Sequence, residues 1–504
     1  MISNKGVAQD AAARRKEVVF DIRPYIDGRY VSSRSTGAFE KYNPADGTLL
    51  TSFPSGSAAD VDLAVKSART SFEDGRWSKR PQADRKATLL RFADLLERDR
   101  ESLALIEAVE VGKLLRDART IDLPMAAAIL RYTATAADHL FGSTYPTDSR
   151  SLALTIRAAR GVAAAIVAWN FPIVLAIQKV APALITGNSV VLKPSELTSQ
   201  GALRLGELAL EAGVPEGVFN IVPGLGTTVG SALANHMDVN ILAFTGSTTT
   251  GKRLLQAAGS SNMKRLVLEC GGKSAHIVFE DAPDLDLVAD GVFARMFANQ
   301  GQVCSAGTRL IVHRGLHDAL LAKLKLRIDA LVPGDPLHPE TTFGPLVSAA
   351  QRDKVQAYVE SGLESEARLF CGNEHIVRAT GGFFVAPTVF RDVDPDAKIA
   401  QEEIFGPVLC VHAFDHVDEA IFLANRSTYG LTATAWTTNL ATAHRLVREV
   451  KAGEITIRGT GKPSSGAALG TLPIEPHQQS GFGIEGGLEG IAAYTTLTAA
   501  QIFV

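Results

Sequence analysis

Alternating strand-like and helix-like segments from residue 161 onwards constrain the fold of this chain more than any other feature. Short apolar runs typical of buried strands, VAAAIVAW, SVVLKP, FNIVPG, ILAFTGS and RLVLECGG, are separated by segments with helical spacing. Gly187 and Gly213 stand just past two of these segments, where helices commonly end. Strands joined through helices pair in parallel, so this region predicts an α/β fold with a parallel sheet between helices. Such a sheet is typical of dinucleotide-binding proteins, although the architecture alone does not fix a ligand.

The flanking sequence predicts further elements. Apolar residues at helical spacing predict amphipathic helices over Asp60–Phe72 and Arg85–Ile106. A second α/β unit follows, with strands in SAHIVF, TRLIVH, GPVLCVHAF and TATAWTT and helices over Asp284–Phe297 and Asp418–Asn425. Ser151–Arg157 and the C-terminal run AAYTTLTAAQIFV both alternate as strands do. The tail can pair with Ser151–Arg157 or with the edge of another subunit.

Composition excludes several classes of partner. A chain of 504 residues predicts two or three domains. Its 51 Lys and Arg against 54 Asp and Glu give a formal net charge of −3, which offers no basic surface for nucleic acid or an anionic membrane. The most apolar stretch, Gly161–Ile177, is interrupted by Asn170 and Pro172, and it is shorter than the roughly 20 residues that span a bilayer.

Cysteine usage and the N-terminus indicate a cytoplasmic protein. The four cysteines, Cys270, Cys304, Cys371 and Cys410, are too few for a disulfide scaffold and fit a reducing compartment. The N-terminal sequence MISNKGVAQDAAARRKEVVF has no apolar core of signal-peptide length, so we expect a solvated arm there.

Cys304 is a candidate nucleophile. It lies in NQGQVCSAGTR, between a predicted helix and a predicted strand, among Gly, Ala and Ser residues. Small neighbours allow a ligand and backbone N–H groups to approach the sulfur, and a thiolate is a strong nucleophile. A cysteine in such surroundings is more often simply packed, so the motif alone leaves both interpretations open.

Two polar residues follow predicted strands. Glu269 closes the strand in RLVLECGG, at the sheet edge where α/β proteins bind ligands. Partial burial would raise its pKa and suit it to general-base work, whereas a helix cap or a surface carboxylate is the alternative. Asn170 in AWNFPIV can donate to a developing oxyanion, or it can cap the helix that starts at Pro172.

Two further turns are candidate cofactor sites. Lys193 and Glu196 in LKPSE can hold a ribose, and a carboxylate here would repel a 2′-phosphate, which favours NAD over NADP. Gly246 and Ser247 in FTGSTTTGK precede a helix whose N-terminus can face a pyrophosphate. The same loop nearly matches a P-loop, but Arg253 stands where that motif needs a hydroxyl for Mg²⁺.

Seven motifs in order resemble the aldehyde dehydrogenase superfamily, from about Tyr25 to the C-terminus. They are WNFP with Asn170, KPSE with Lys193, FTGST, LECGGKS with Glu269, GQVCSAGTR with Cys304, EEIFGP with Glu403 and Phe405, and the closing SGFGIEGG. Within the family the chain is most similar to broad-specificity and aminoaldehyde-oxidising members, such as gamma-glutamyl-gamma-aminobutyraldehyde dehydrogenase. The resemblance implies hydrolytic oxidation of a small-molecule aldehyde to the carboxylic acid, with NAD rather than NADP as the expected hydride acceptor.

The same resemblance implies a role for each matching residue. Cys304 would attack the aldehyde, Asn170 and the Cys304 N–H would hold the oxyanion, and Glu269 would activate water to hydrolyse the thioester. Glu269 also argues against coenzyme A-acylating relatives, in which its role is usually absent. The implied cofactor-binding residues are Trp169, Lys193, Glu196, Gly246, Ser247, Glu403 and Phe405. No metal site is implied.

The implied domain organisation follows the family. It has a flexible N-terminal arm over 1–20, a Rossmann-like NAD-binding domain over 21–141 and 162–268, and an α/β catalytic domain over 269–486. A small β oligomerisation arm over 142–161 and 487–504 completes it. Such enzymes are usually dimers or tetramers, so we expect a homodimer or a homotetramer.

Three departures from the family pattern concern the substrate entrance. PIEPHQQSG, from Pro473 to Gly481, replaces the common PFGGxKxSG. Arg458 stands where relatives have Asn, and Gln178 and Ala298 occupy positions that are often aromatic. These changes imply a wide, polar pocket for a bulky or polar aldehyde. Arg458 is a candidate to recognise a carboxylate or another polar end of the substrate, and a solvated surface arginine is the alternative.

Two other functional classes stay open at this point. One is a catalytically silent structural relative, against which the joint presence of Cys304, Glu269, Asn170 and Lys193 argues. The other is a Cys-dependent acyl hydrolase or transferase without a redox cofactor. That class needs a catalytic histidine, whereas His276 and His313 lie in strand-like runs typical of packing.

Overall fold

The strand-like segments after residue 161 form one parallel sheet in the computed structural model, which describes residues 13–33, 35, 37–373, 380–459 and 470–503. In spatial order its strands are Arg29–Tyr30, Tyr25–Ile26, Phe219–Ile221, Ser189–Lys193, Val162–Ile166, Ile241–Thr245, Arg265–Glu269 and Gly481–Phe482. The central five are parallel. The chain fills one side of Val162–Ile166 and then crosses to the other, so the strand order reverses beside this strand. Ligands of such sheets bind at the carboxyl ends of the strands near the reversal.

Helices cover both faces of this first sheet, which explains why its central strands are almost uninterrupted apolar runs. Leu89, Leu130 and Leu184 pack on one face, and Val65 and Leu254 pack on the other. The helices are Ala58–Glu73, Gln82–Arg98, Arg100–Val111, Leu115–Asp117, π-helical Ala118–Asp122, Leu123–Ala136, Pro172–Ile185, Gln200–Ala212, π-helical Gly226–Gly230, Ser231–Asn235 and Thr248–Ser260.

One helix prediction is wrong in its extent. The single helix predicted over Arg85–Ile106 is two helices that meet at Asp99, whose ψ of 10° departs from helical geometry. The Asp99 carboxylate accepts a 3.0 Å hydrogen bond from Nε of Arg204, and its carbonyl accepts one from Ser102. Asp favours helix ends because its backbone and side chain find such local partners, so the break follows from chemistry that apolar spacing does not report.

The second α/β unit is a seven-stranded sheet within the described residues. In spatial order its strands are Arg368–Cys371, Thr388–Arg391, Val408–Phe414, Arg309–His313, Ala275–Val278, Thr432–Trp436 and Glu454–Arg458. Only the first strand runs antiparallel to its neighbour. The accompanying α-helices are Leu285–Phe297, His317–Asp329, Ala349–Leu363, Lys398–Gln401, Val417–Asn425 and Leu440–Glu449.

A three-stranded sheet joins the C-terminus to the middle of the chain. Thr495–Phe503 pairs antiparallel with Ser151–Ala159 along its whole length, and Thr144–Tyr145 adds a short third strand. The tail therefore takes the first of its two predicted pairings, the one within its own chain. Thr495–Phe503 is the outer strand of this sheet, and helix Gly487–Ala493 precedes it.

The predicted domain boundaries remain predictions. Two segments, one from the predicted N-terminal arm and one from the predicted catalytic domain, contact other parts of the protein. Within the predicted N-terminal arm, residues 13–20 contact the rest of the protein, since Arg15 pairs with Asp335 at 2.7 Å and Phe20 packs against the core. Gly481–Phe482, in the segment assigned to the catalytic domain, returns to the first sheet and pairs with Glu269 and Leu268. The altered PIEPHQQSG segment thus ends beside the candidate base.

Candidate active site

Polar residues meet at one edge of the first sheet, at the carboxyl ends of its parallel strands. Strand register aligns Lys193 with Ile166, and it aligns Glu269 with Thr245 on the other side of the strand-order reversal. The backbone N–H of Gly246 donates to the carbonyl of Glu269 at 3.0 Å, which fixes the next loop against this edge. Three of the sequence-predicted motifs therefore meet where α/β sheets bind ligands.

The loop that carries Cys304 has a strained backbone. Asn299 and Gln300 adopt positive φ angles of 46° and 56°, a left-handed conformation that is uncommon for residues with side chains. Gln302 holds this loop, because its side-chain amide donates to Asn299 O at 3.1 Å and accepts from the Val347 N–H at 3.0 Å. Such strain persists where surrounding contacts enforce it, and it presents Cys304 partly exposed.

Two consecutive glycines after the Glu269 strand allow the cysteine loop to approach it closely. A Cβ atom at Gly272 would lie 2.4 Å from the carbonyl oxygen of Cys304, and one at Gly271 would lie 2.7 Å from Oε2 of Glu403. The Gly272 N–H donates to Oε1 of Glu403 at 3.0 Å. Larger residues would force these three chain segments apart, so the glycines explain how Glu269, Cys304 and Glu403 come together.

The thiol at position 304 lies in an acidic environment. Burial, followed by the charges of Glu403 and Glu269, raises the pKa of Cys304 to about 12, while a hydrogen bond from the Ser305 N–H and the charge of Arg295 oppose the shift. Cys304 is therefore held as a thiol at neutral pH. Its ionisation requires that a proton is taken up nearby or that positive charge enters the site.

Asn170 approaches the cysteine loop from the first sheet. It is buried, and its Nδ2 donates to the carbonyl oxygen of Gln302 at 3.0 Å. Asn299 in turn donates to the Asn170 carbonyl at 3.1 Å. Since an amide nitrogen carries two hydrogens, Asn170 retains a second donor close to Cys304.

Glu269 belongs to a buried charge network that the motif analysis did not identify. Burial and the charge of Glu485 raise the pKa of Glu269 well above its usual range, and Lys179 opposes this shift. Lys179 is fully buried, and its Nζ lies 2.6 Å from Oε1 of Glu485. A single lysine inside the apolar helix PIVLAIQKVAPALI is the sequence signal that could have identified this network.

The predicted cofactor residues form two groups. Trp169 and Phe405 contact each other edge to face, with ring centroids 5.2 Å apart, and Glu403, two residues before Phe405, has its carboxylate fixed by the Gly272 N–H. Phe405 has a φ of 60°, and its carbonyl accepts a 2.7 Å hydrogen bond from Gln351. An aromatic pair next to a fixed carboxylate suits a flat ring that carries a ribose.

The second group lies at the same edge, after the two strands that flank Val162–Ile166. Lys193 is buried, and its Nζ donates to Pro194 O at 2.8 Å and to Oε2 of Glu196 at 3.2 Å. Ser247 is exposed at the N-terminus of helix Thr248–Ser260, where its side chain accepts from the Thr250 N–H. A charged pair and an open helix N-terminus fit a ribose and a pyrophosphate, so the residues present fit a dinucleotide.

The three predicted substrate residues lie in different surroundings. Gln178 lines a cavity with Glu485, next to the Lys179 network. Ala298 is exposed and directly precedes the strained loop. Arg458 ends an outer strand of the second sheet, with its guanidinium 5.3 Å from the centre of the Trp436 ring. Arg458 thus contacts Trp436, and the structure gives it no contact with Cys304.

His276, considered above as a base for the thiol, packs against Trp436. His276 Nε2 accepts from the Trp436 indole N–H at 2.7 Å, and burial together with Arg295 and Arg458 lowers its pKa to about 3. His276 is therefore a packed neutral residue rather than a base for the thiol.

Among the described residues, no group of three or more His, Cys, Asp and Glu is arranged to hold a metal ion. No helix in the described ranges is both long and apolar enough to cross a membrane.

In this protein the ligand-binding edge of a dinucleotide-type sheet faces a strained cysteine loop. This arrangement is typical of dehydrogenases that act through a thiol. The chain belongs to the aldehyde dehydrogenase family, whose model matches residues 30–500. It is 44% identical over 480 residues to the NADP/NAD-dependent aldehyde dehydrogenase PuuC of Escherichia coli K12, and the match covers 95% of each chain.

Solved structures agree with this assignment. An indole-3-acetaldehyde dehydrogenase of P. syringae, determined as a complex with NAD+ and IAA, has a TM-score of 0.94 at 44% identity and covers 98% of this chain and 99% of its own. The gamma-glutamyl-gamma-aminobutyraldehyde dehydrogenase of Burkholderia cenocepacia J2315 also has a TM-score of 0.94, at 43% identity, and covers 99% of both chains. The aldehyde dehydrogenase fold expected from the sequence is confirmed.

Proposed function

We propose that this enzyme oxidises an aldehyde to a carboxylic acid with NAD, through a thioester on Cys304 that water hydrolyses with the help of Glu269. The observation that carries the proposal is the convergence of Cys304, Asn170 and Glu269, from three separate chain segments, at the nucleotide edge of the first sheet. In sum, aldehyde, NAD⁺ and water give carboxylic acid, NADH and a proton. NAD, when bound, supplies a hydride acceptor and a positive charge.

Cys304 and Asn170 perform the first half of the reaction. The Cys304 thiol loses its proton to solvent water, the sulfur forms a bond to the aldehyde carbon, and the electron pair of the C=O π bond moves to the carbonyl oxygen, which becomes an oxyanion. The free hydrogen of Asn170 Nδ2 and the backbone N–H of Cys304 donate to that oxyanion. Donors that the fold holds in place stabilise developing charge strongly, because they need no reorganisation during the step.

Glu269 performs the second half. Its Oε1 atom is buried and has no hydrogen-bond partner among the described residues, so it is available to a water molecule. A raised pKa makes this carboxylate a stronger base than a solvated glutamate. Glu269 takes a proton from water as the oxygen attacks the thioester, and the Cys304 thiolate leaves.

The cofactor residues support a preference for NAD over NADP. Glu196 lies 3.2 Å from the buried Lys193 ammonium at the end of the sheet where the adenosine ribose would bind. Its carboxylate can accept from ribose hydroxyls and would repel a 2′-phosphate. The PuuC relative is described as NADP/NAD-dependent, so the two cofactors should be compared directly.

The test is NADH formation by the purified enzyme over a panel of aldehydes. Wild-type protein should produce NADH, Cys304→Ala should produce none, and Glu269→Gln should release about one NADH per active site before slowing. A Cys371→Ala variant is the matched control, because Cys371 lies on an outer strand of the second sheet, and it should retain full activity. A Glu269→Gln enzyme that turns over at the wild-type rate would exclude this role for Glu269.

We further propose a homodimer or homotetramer assembled through the three-stranded sheet. Among the described residues no further strand pairs with the outer edge of Thr495–Phe503, and one face of the sheet exposes the apolar side chains of Leu152, Ile156 and Ile502. Exposed apolar clusters of this kind mark interaction surfaces. Ile156→Asp should reduce the mass measured by light scattering, whereas Arg150→Ala in the adjacent turn should not. Four cysteines in 504 residues are too few for a disulfide scaffold, which supports a cytoplasmic location.

A further inference from the structure

Arg295 and Arg458 are neighbouring charges near Trp436, and both help to lower the pKa of His276, which is bonded to that indole. Arg458 lies over that ring at 5.3 Å from its centre. On helix Leu285–Phe297, a Cβ atom at Gly291 would lie 2.5 Å from Cζ2 of the same indole, so this face of the helix packs on Trp436. Arg295 follows Gly291 by four residues, and residues four apart share a helix face. The Arg295 charge also helps to lower the pKa of Arg458, so the two guanidinium groups are neighbours.

Arg295 connects this pair to the cysteine loop. Its Nη2 lies 3.5 Å from Oγ1 of Thr432, and that hydroxyl lies 3.5 Å from the carbonyl oxygen of Ser305. Ser305 directly follows Cys304, so one intervening side chain separates the Arg295 guanidinium from the backbone next to the nucleophile. Arg295 is only partly exposed, as is Arg458.

The two positive charges are uncompensated. Within the described ranges, neither Arg295 nor Arg458 forms an ion pair with a carboxylate, whereas Arg131 and Arg327 each pair with two. Burial and the neighbouring Arg295 charge lower the pKa of Arg458, and the nearby His276 is neutral. The sequence that follows, residues 460–469, contains one lysine and no Asp or Glu. Two partly buried like charges without a counter-ion are costly unless an anion binds.

We propose that Arg295 and Arg458 bind a carboxylate at the far end of the aldehyde, so that the enzyme prefers aldehydes that carry an acidic group. A guanidinium presents a planar fork of N–H donors that matches a carboxylate, and stacking on an indole holds that plane while leaving the N–H edge available. This inference rests on the proposed oxidation at Cys304. It assigns a role to Arg295, which the sequence motifs did not identify.

The experiment compares charged and neutral substrates of matched length. A series of ω-oxocarboxylates and their methyl esters is assayed for kcat/KM by NADH formation with wild-type enzyme. At the best chain length, the wild type should prefer the acid by about tenfold or more. Arg295→Ala and Arg458→Ala should each lower kcat/KM for the acid far more than for the ester, which removes most of that preference.

Further variants separate binding from stability. The double variant Arg295→Ala/Arg458→Ala should lose little more than either single variant, since both arginines hold one carboxylate. Arg458→Lys should keep part of the preference, because it retains the charge but not the fork. Arg448→Ala, on the exposed end of helix Leu440–Glu449, is the charge-matched control and should change neither substrate class. Thermal unfolding of each variant checks that the protein is folded.

Two results would overturn the inference. One is a wild-type enzyme that oxidises acids and esters equally well, and the other is an equal loss on both substrate classes in the arginine variants. In either case ester oxidation still reports on the thiol chemistry, so the proposed function can stand while this inference fails. If the wild-type enzyme forms no NADH from any of the aldehydes tested, both the proposed function and this inference are refuted.

Discussion

The side-chain amide of Asn170 donates a 3.0 Å hydrogen bond to the carbonyl oxygen of Gln302, two residues before Cys304. This bond ties the end of a strand in the first sheet to the strained loop of the second unit. It uses one amide hydrogen and orients the other. The position of the proposed oxyanion donor is therefore fixed before any substrate binds, as electrostatic stabilisation of a transition state requires.

Replacing Asn170 tests that role. Asn170→Ala should lower kcat by about 100- to 1,000-fold, the usual cost of one oxyanion donor. Cofactor binding should be little affected, so NAD should still raise the unfolding temperature of the variant. Stopped-flow measurement of NADH formation gives the rate, and a loss of less than about threefold would exclude Asn170 as a donor.

Cofactor preference should respond to Glu196. In the proposed arrangement its carboxylate would face a 2′-phosphate with like charge, so Glu196→Gln should raise the ratio of kcat/KM for NADP to that for NAD by about tenfold. Glu211→Gln, on the exposed end of helix Gln200–Ala212, provides the control. If the ratio stays constant in Glu196→Gln, the carboxylate does not set the preference.

The pH profile should respond to Glu485. The carboxylate of Glu485 helps burial to raise the pKa of Glu269, and Lys179 opposes it. Because Glu269 acts as a base only above its pKa, kcat should rise with pH. Removing the Glu485 charge lowers that pKa, so Glu485→Gln should move the acid limb of the kcat profile to lower pH by about 0.5–1 unit. The exposed Glu489→Gln should leave it in place, and a shift to higher pH in Glu485→Gln would contradict the network.

Stability should depend on a second buried charge cluster. The Lys113 ammonium bonds Asp122, lies 4.0 Å from Glu107 and sits 4.2 Å from the centre of the Phe171 ring. Lys113→Met leaves the buried carboxylate of Asp122 without its cation, so it should cost about 3–5 kcal/mol in apparent unfolding free energy. Chemical denaturation measures this cost. Arg116→Ala, which breaks an exposed ion pair nearby, should change the unfolding free energy by about 0.5 kcal/mol at most. If Lys113→Met and Arg116→Ala lower the unfolding free energy equally, the buried cluster is not important for stability.

The same cluster shows how distant parts of the chain support the site. Oε1 of Glu107 accepts a 3.0 Å hydrogen bond from the Ile173 N–H, at the start of the helix that follows Asn170. Burial raises the pKa of Glu107 to about 8, opposed by the Lys113 charge. The loop that carries Asn170 is thus anchored by residues about sixty positions earlier, although they take no part in the chemistry.

Sequence reasoning located the first sheet because its strands are buried on both faces. Val162–Ile166 and Ser189–Lys193 contain no exposed position, so they are unbroken apolar runs, and Gly213 ends its helix with a φ of 105°. The break at Asp99 was missed because the apolar spacing continues through it. The outer strand Glu454–Arg458 was also missed, although Ile455 and Ile457 alternate with polar residues, because the run has only two apolar positions.

The candidate site also contains residues that the sequence predicts and residues that it does not. Cys304 and Glu269 lie at ends of predicted elements, where a polar residue is conspicuous in the sequence. Lys179 and Glu485 are separated by 306 positions and meet only because Gly481–Phe482 returns to the first sheet. Arg295 likewise occupies an ordinary position on a helix, and only the packing of that helix on Trp436 brings it to Arg458. Contacts of this kind depend on tertiary structure, and no local pattern encodes them.

The most direct measurement is the mass of the peptide that contains Cys304 after one turnover of the Glu269→Gln enzyme with aldehyde and NAD. The account predicts that this peptide gains the acyl group of the substrate, in an amount matching the NADH released, and loses it on treatment with hydroxylamine. NADH release without any acyl group on Cys304, or with the acyl group on another residue, would contradict the central claim.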